Sequence, residues 1–171
     1  MTAAPKLDAV ALLKADHRKV EDLFSQFEAA KGDGRKKALA EEICMELTIH
    51  TKIEEDVFYP ACEGAVEEDL LKEAYVEHDG AKVLIAEIEA GGPDDEYYEA
   101  KVKVLSEMIE HHVEEEEKRV EGMFAQAKKA GLDMDGIGDK MASEKAQLKA
   151  TYKSSGLPRP ETTTFGGTSL A

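Results

Sequence analysis

Two stretches of this chain decide its fold: His50-Thr51-Lys52-Ile53-Glu54 and His112-Val113-Glu114-Glu115-Glu116. Each places a histidine four residues before a glutamate. In a helix that spacing stacks two side chains one turn apart on the same face. An imidazole nitrogen and a carboxylate oxygen aimed at one point make half a site for a transition metal. The stretches lie about sixty residues apart, so the pattern predicts two helices facing each other across a shared metal. His17 and His78 fall in two further helical stretches, which accounts for four of the chain's five histidines, one per helix.

Working outward, the apolar periodicity predicts four long helices. The first runs from about Asp8 to Ala30, with Val10, Leu13, His17, Val20 and Phe24 on one side, and ends at Lys31-Gly32-Asp33-Gly34. The second runs from about Arg35 to Tyr59 and stops at Pro60, its stripe carrying Ile43, Leu47, His50, Glu54, Val57 and Phe58. The third spans about Glu67 to Ala90, up to Gly91-Gly92-Pro93. The fourth starts near Asp94 or Asp95 and reaches about Ala130, with Val102, Leu105, Ile109, Val113, Val120 and Met123 in one arc. Short links fit antiparallel neighbours, so the expected fold is all-α, an up-down-up-down four-helix bundle. A short extra C-terminal helix, about Asp135 to Tyr152, is expected on its outside. The expected division is a helical bundle over 1–152 and a disordered tail over 153–171, where Ser, Gly, Pro and Thr leave little to bury.

The bulk composition narrows the function. A chain of 171 residues, 42% hydrophobic and 35% charged, is long enough for one domain with its own core. A net charge of −15 argues against nucleic acid and against an anionic membrane surface as partners. No apolar run is long enough to span a membrane, and no secretory signal is read at the start. Cys44 and Cys62 have no neighbours at zinc-finger spacing. The expected compartment is the cytoplasm, with reduced thiols.

A carboxylate in the middle of an apolar stripe is costly unless paired or bound to metal. Glu54 and Glu116 both occupy such positions, each one turn after a histidine. His111 falls on the flank of the fourth helix, and Glu21 lies off the arc of Val20 and Phe24. Glu77, beside His78, can be a ligand or an acceptor for an imidazole N–H. Tyr59 and Tyr75 can be hydrogen-bond donors near the centre or simple packing. Four imidazoles and two carboxylates suit iron, manganese or zinc, and two carboxylates can each bridge two ions. The ferritin-like pattern requires Glu-x-x-His, which is absent here.

On Asp16-His17, His50 to Glu55, Tyr59-Pro60, Glu77-His78 and His112 to Glu116, the chain resembles the hemerythrin-like, or HHE cation-binding, family over about Val10 to Ala125. The resemblance implies a non-haem di-iron centre. Its terminal ligands would be His17, His50, His78 and His112, with Glu54 and Glu116 bridging. It also implies a small partner such as oxygen, peroxide or nitric oxide. The chain departs from the oxygen carriers of that family in two ways. Lys82 stands where they have a second third-helix histidine, and the fourth-helix carboxylate is a Glu one residue closer to its histidine. The departures weaken the reading as a reversible oxygen carrier and favour redox turnover of peroxide, a catalase-like decomposition with one iron position left open, or sensing of oxygen, nitric oxide or iron. Non-catalytic oxygen or nitric oxide binding, sensing and iron storage are the alternatives.

Overall fold

The computed structural model describes residues 5–167, and within them the chain is helical with no strand. Asp8 caps the first helix, α1 (Ala9–Ala29), its carboxylate accepting from the Ala11 N–H at 2.8 Å. Next come α2 (Asp33–Ile53) and, beyond a wide turn at Glu54–Phe58, the short α3 (Tyr59–Cys62). Then follow α4 (Glu68–Gly91), α5 (Tyr98–Glu117), α6 (Met123–Lys129) and α7 (Met134–Ser155). Helix α1 packs along α2 and α4 along α5, and α7 lies against α1 and α2.

The all-α expectation holds and the four expected helices are found, but the C-terminal helix α7, expected to be short, is as long as they are at 22 residues, and three boundaries differ. The second helix does not stop at Pro60. Proline has no N–H to offer the carbonyl four residues back, and its ring crowds that carbonyl. The chain responds with one turn of π-helix, in which the Tyr59 N–H bonds to the Glu54 carbonyl, and Pro60 then sits in the first turn of α3.

The fourth helix ends at Glu117 rather than near Ala130. Glu114 to Glu117 fill its last turn, where the negative end of the helix dipole opposes them. A turn over 118–122 leaves Val120 79% exposed instead of in the apolar arc. Gly122 is required here, because a Cβ would stand 2.5 Å from the Lys118 carbonyl oxygen. The turn delivers Met123 and Phe124 to the core as α6.

The third difference is the tail. Thr163, Thr164 and Phe165, in the stretch expected to be disordered, donate hydrogen bonds to Asp79 of α4. Residues 168–171 of the expected tail lie outside the described residues.

The core divides in two. One apolar cluster includes Leu13, Ile53, Phe58, Ala74, Met123 and Met141, and the other Val20, Leu47, Ala81, Ile85, Leu105 and Val113. On α1, His17 falls between Leu13 and Val20; on α2, His50 falls between Leu47 and Ile53; on α4, His78 falls between Ala74 and Ala81. A polar layer therefore separates the clusters, and the helix phases place its members.

Candidate metal centre

Helices α1, α2, α4 and α5 each bring one imidazole inward, and all six residues expected from sequence meet in that layer. Glu54 and Glu116 are 0% and 1% exposed, and none of the four histidines exceeds 5%. They form two groups whose potential ligand atoms lie within 4.8 Å of one another: His17, His50, Glu54 and Glu116, and Glu54, His78 and His112.

The oxygens of the two glutamates are shared between the groups. Glu54 turns Oε1 toward His50 Nε2 at 3.2 Å and Oε2 toward His78 Nε2 at 3.0 Å. Glu116 turns Oε2 toward His17 Nε2 at 3.3 Å and Oε1 toward His112 Nε2 at 3.1 Å. Each carboxylate therefore offers one oxygen to each group. In the first group, His17 Nε2, His50 Nε2, Glu54 Oε1 and Glu116 Oε2 are all buried without a hydrogen-bond partner. Four buried polar atoms that meet only one another, at 3.2 and 3.3 Å and without a hydrogen bond, would be costly in an empty core. They fit a cation: ligands about 2.1 Å from a common centre stand roughly 3.4 Å apart in a tetrahedron.

Tyr59 completes the second group. Its hydroxyl, 0% exposed, donates to Glu116 Oε1 at 2.8 Å and lies 3.2 Å from Glu54 Oε2, 3.0 Å from His78 Nε2 and 3.3 Å from His112 Nε2. The wide turn puts it there. In a regular helix residue 59 lies well off the face of Glu54, and the extra residue of the π turn rotates it back. Pro60 was the available signal.

The outer nitrogen of every imidazole faces a second carboxylate. His50 Nδ1 is 3.2 Å from Asp16 Oδ2, and His78 Nδ1 is 3.1 Å from Glu55 Oε1. His17 Nδ1 and His112 Nδ1 approach Glu117 and Glu77 at 3.6 Å. The Asp16 and Glu55 contacts hold those two rings with Nε2 directed inward, whereas at 3.6 Å Glu117 and Glu77 make ion-pair approaches only, and His17 Nδ1 and His112 Nδ1 have no hydrogen-bond partner. Three of these carboxylates are tied to a cation in turn: Asp16 to Lys145 of α7, Glu117 to Arg18 at 2.5 Å, and Glu55 to Lys82 at 2.9 Å. Glu77 thus lies outside the cluster, behind His112.

Lys82 does not fill the place of a missing histidine. Its Nζ contacts Glu55, Asp79 and the Glu161 carbonyl, none of which belongs to the cluster, so the expected gap on α4 is not beside residue 82. His111 is exposed and Glu21 pairs with Arg18 at 3.0 Å on the surface, as their phases predict. Tyr75 packs edge-on against Tyr59 with ring centroids 5.1 Å apart. The buried Asp16 is named in the sequence only as part of the Asp16-His17 motif, with no role given, and the buried Asp79 is not singled out at all, since an aspartate beside an inward histidine reads as flank.

The electrostatics are those of a site that wants positive charge. Burial works against a charged His50, but Glu54 and then Asp16 pull its pKa up to about 10. Burial likewise disfavours a charged His112, and Glu116 and Glu77 raise it well above the ordinary value. Burial would raise Glu116, yet His112 and His17 hold it well below the usual carboxylate range. Burial, Glu116 and Glu54 together keep the Tyr59 phenol protonated far above neutral pH.

A groove of about 540 Å³ runs between α1 and α5 past Phe24, Phe27, Val102 and Ile109, and none of the six residues lines it. A second groove, of about 470 Å³, includes Arg18 and Glu117 and so approaches the layer behind His17. No described helix is long and apolar enough to cross a membrane.

Comparison with known proteins agrees with this geometry. The family model described as the hemerythrin HHE cation-binding domain matches residues 8–124. A crystal structure of a hemerythrin HHE cation-binding domain-containing protein from Mycobacterium kansasii superposes with a TM-score of 0.72, at 23% identity, over 88% of this chain and 95% of that one. An uncharacterized protein of Mycobacterium tuberculosis is 25% identical over 146 residues, covering 85% of this chain and 89% of that protein. A DNA nickase of Nostoc is 28% identical over 106 residues, which are 62% of this chain and 30% of that longer protein.

Proposed function

This chain belongs to the hemerythrin HHE cation-binding family, and on that premise we propose that it holds two non-haem iron ions and reacts with a small oxygen species, decomposing peroxide. The observation that carries the two-ion reading is the division of labour within Glu54 and Glu116, each with one oxygen in either group. In this reading α1, α2, α4 and α5 form an up-down-up-down bundle contributing one imidazole each. His17 and His50 would hold one ion, His78 and His112 the other, and the two glutamates would bridge. The protonated Tyr59 hydroxyl stands beside the place of the second ion, donating to the two carboxylates that would bridge.

Bound iron supplies one-electron redox change and a coordination position for a small ligand. The chain's own residues supply the rest. Asp16 and Glu55 orient the imidazoles of His50 and His78. Phe124, stacked on His17 at 5.8 Å, and Phe58, packed edge-on against Phe124, close the layer to bulk water. The Tyr59 hydroxyl keeps a proton at the centre, within reach of anything bound between Glu54 and Glu116.

A second reading, binding of oxygen or nitric oxide without turnover, draws on the enclosure of the site, where no member exceeds 5% exposure. Single-site iron storage is a weaker variant of it. The free, buried Cys44 and Cys62 fit a reducing cytoplasm. The Nostoc resemblance does not support a DNA-cleaving role, since a net charge of −15 repels a phosphate backbone.

The test is to count metal per purified chain and follow its visible spectrum with oxygen, nitric oxide and peroxide. Two irons with rapid peroxide loss support turnover. A stable, reversible oxygen band supports binding alone. A chain that takes up no transition metal overturns both readings.

A further inference from the structure

Beyond α7 the chain returns across α4, and its bonds converge on one buried side chain. Asp79, 0% exposed, accepts hydrogen bonds from the backbone N–H groups of Thr163 at 2.8 Å, Thr164 at 2.5 Å and Phe165 at 3.1 Å. The Thr164 hydroxyl adds another at 2.6 Å. A buried carboxylate needs such donors, and the bend at 163–165 turns successive N–H groups onto it without burying a side chain of its own. Residues 161–167 are exposed throughout.

Asp79 directly follows His78, and the network continues toward that ring. Lys82 donates to the Glu161 carbonyl at 3.0 Å, to Asp79 Oδ1 at 3.5 Å and to both oxygens of Glu55 at 2.9 Å. Glu55 in turn stands 3.1 Å from His78 Nδ1. The tail is thus joined to His78 through Lys82 and Glu55. The bonds given to the opposite half are different: Lys145 of α7 meets Asp16 behind His50, and Arg18 meets Glu117 behind His17.

We propose that Glu161–Phe165 is a positioning strap for one half of the metal centre, holding Asp79, Lys82 and Glu55 so that His78 keeps its nitrogen on the ion shared with His112. It rests on the two-ion reading above. Release of the strap loosens the ion at His78 and His112 and leaves the ion at His17 and His50 in place, because the outer carboxylates of that half are anchored elsewhere.

The experiment uses the full chain carrying Thr163→Pro and Thr164→Pro together. These exposed changes delete two N–H donors and two hydroxyls, one bonded to Asp79 and one 3.5 Å from Glu55, without touching the core. Wild type and variant are loaded with ferrous iron, and release to a chelator is followed in time. The expected result is that one of two release phases accelerates about 10–100-fold, as for other lost outer partners, while the other stays within about twofold. Thr164→Ser, which restores hydroxyl and N–H, should release iron as wild type does. Asp16→Asn should accelerate the opposite phase. Unchanged release in the double-proline chain, or equal acceleration of both phases, overturns the strap. A wild-type chain that holds fewer than two ions overturns the reading beneath it and the strap with it.

Discussion

Tyr59 donates a 2.8 Å hydrogen bond to Glu116, a residue 57 positions further along the chain, and both are buried beyond contact with solvent. This bond joins the wide turn after α2 to the last turn of α5. Tyr59→Phe removes it and leaves a buried carboxylate oxygen without its donor. The metal-free protein should lose about 1–3 kcal/mol of stability in urea melts. The metal-loaded protein should lose iron from the His78 and His112 side first, which metal analysis reads directly. Unchanged iron content would assign Tyr59 to packing.

Glu54→Gln keeps the volume of the side chain but not its charge. One oxygen remains to serve two groups, so metal content should fall well below that of the wild type while the helical circular dichroism is kept. Metal content equal to wild type would remove Glu54 from the ligand set.

His111 and His112 are neighbours in sequence and opposites in the fold, one exposed and one 4% exposed. His112→Ala should strip iron, and His111→Ala should leave iron content and thermal stability within error of wild type. Equal losses from the two would mean that α5 is out of phase by one residue.

The metal-free and metal-loaded chains should respond oppositely to pH. The folded pKa of His50, about 10, lies above its ordinary 6.5. Its contribution to the metal-free fold is therefore complete below about 6.5 and is lost as pH rises toward 10. Glu116 acts in the other sense: its contribution is present above its ordinary 4.5 and fades as pH falls. Metal needs neutral imidazoles, so loading should release protons and strengthen from pH 6.5 upward. Melting temperatures recorded from pH 6 to 9.5 should fall with pH for chelator-treated protein, and the gap to the iron-loaded form should widen. A constant gap would contradict the linkage.

The inward faces of α1, α2, α4 and α5 were legible because four-residue spacing is the natural repeat of a helix, and six residues could be placed by phase alone. Tyr59 was not, because five-residue spacing is in phase only if the helix widens. Pro60 read as a stop when it was the cause of the widening. The end of α5 was missed because Val120 and Met123 continue the apolar rhythm, while the glutamate run that ends the helix was read only as a solvated face. Asp79 and its strap were hidden for another reason. The donors that satisfy it are mostly backbone N–H groups, which every residue but proline carries, so no side-chain pattern announces them.

The wide turn at Glu54–Phe58 has a consequence for how such a site can diverge. A π turn is a helix carrying one residue more than its hydrogen-bond ladder needs. Deleting a single residue between Glu54 and Tyr59 would return the ladder to its ordinary pitch and leave both flanking helices standing, with the tyrosine, now four residues after Glu54, still on the face toward Glu116. The same inner shell can therefore be kept by chains that differ in length across the turn. Relatives aligned without gaps across this turn would be compared in the wrong frame at the position that matters most.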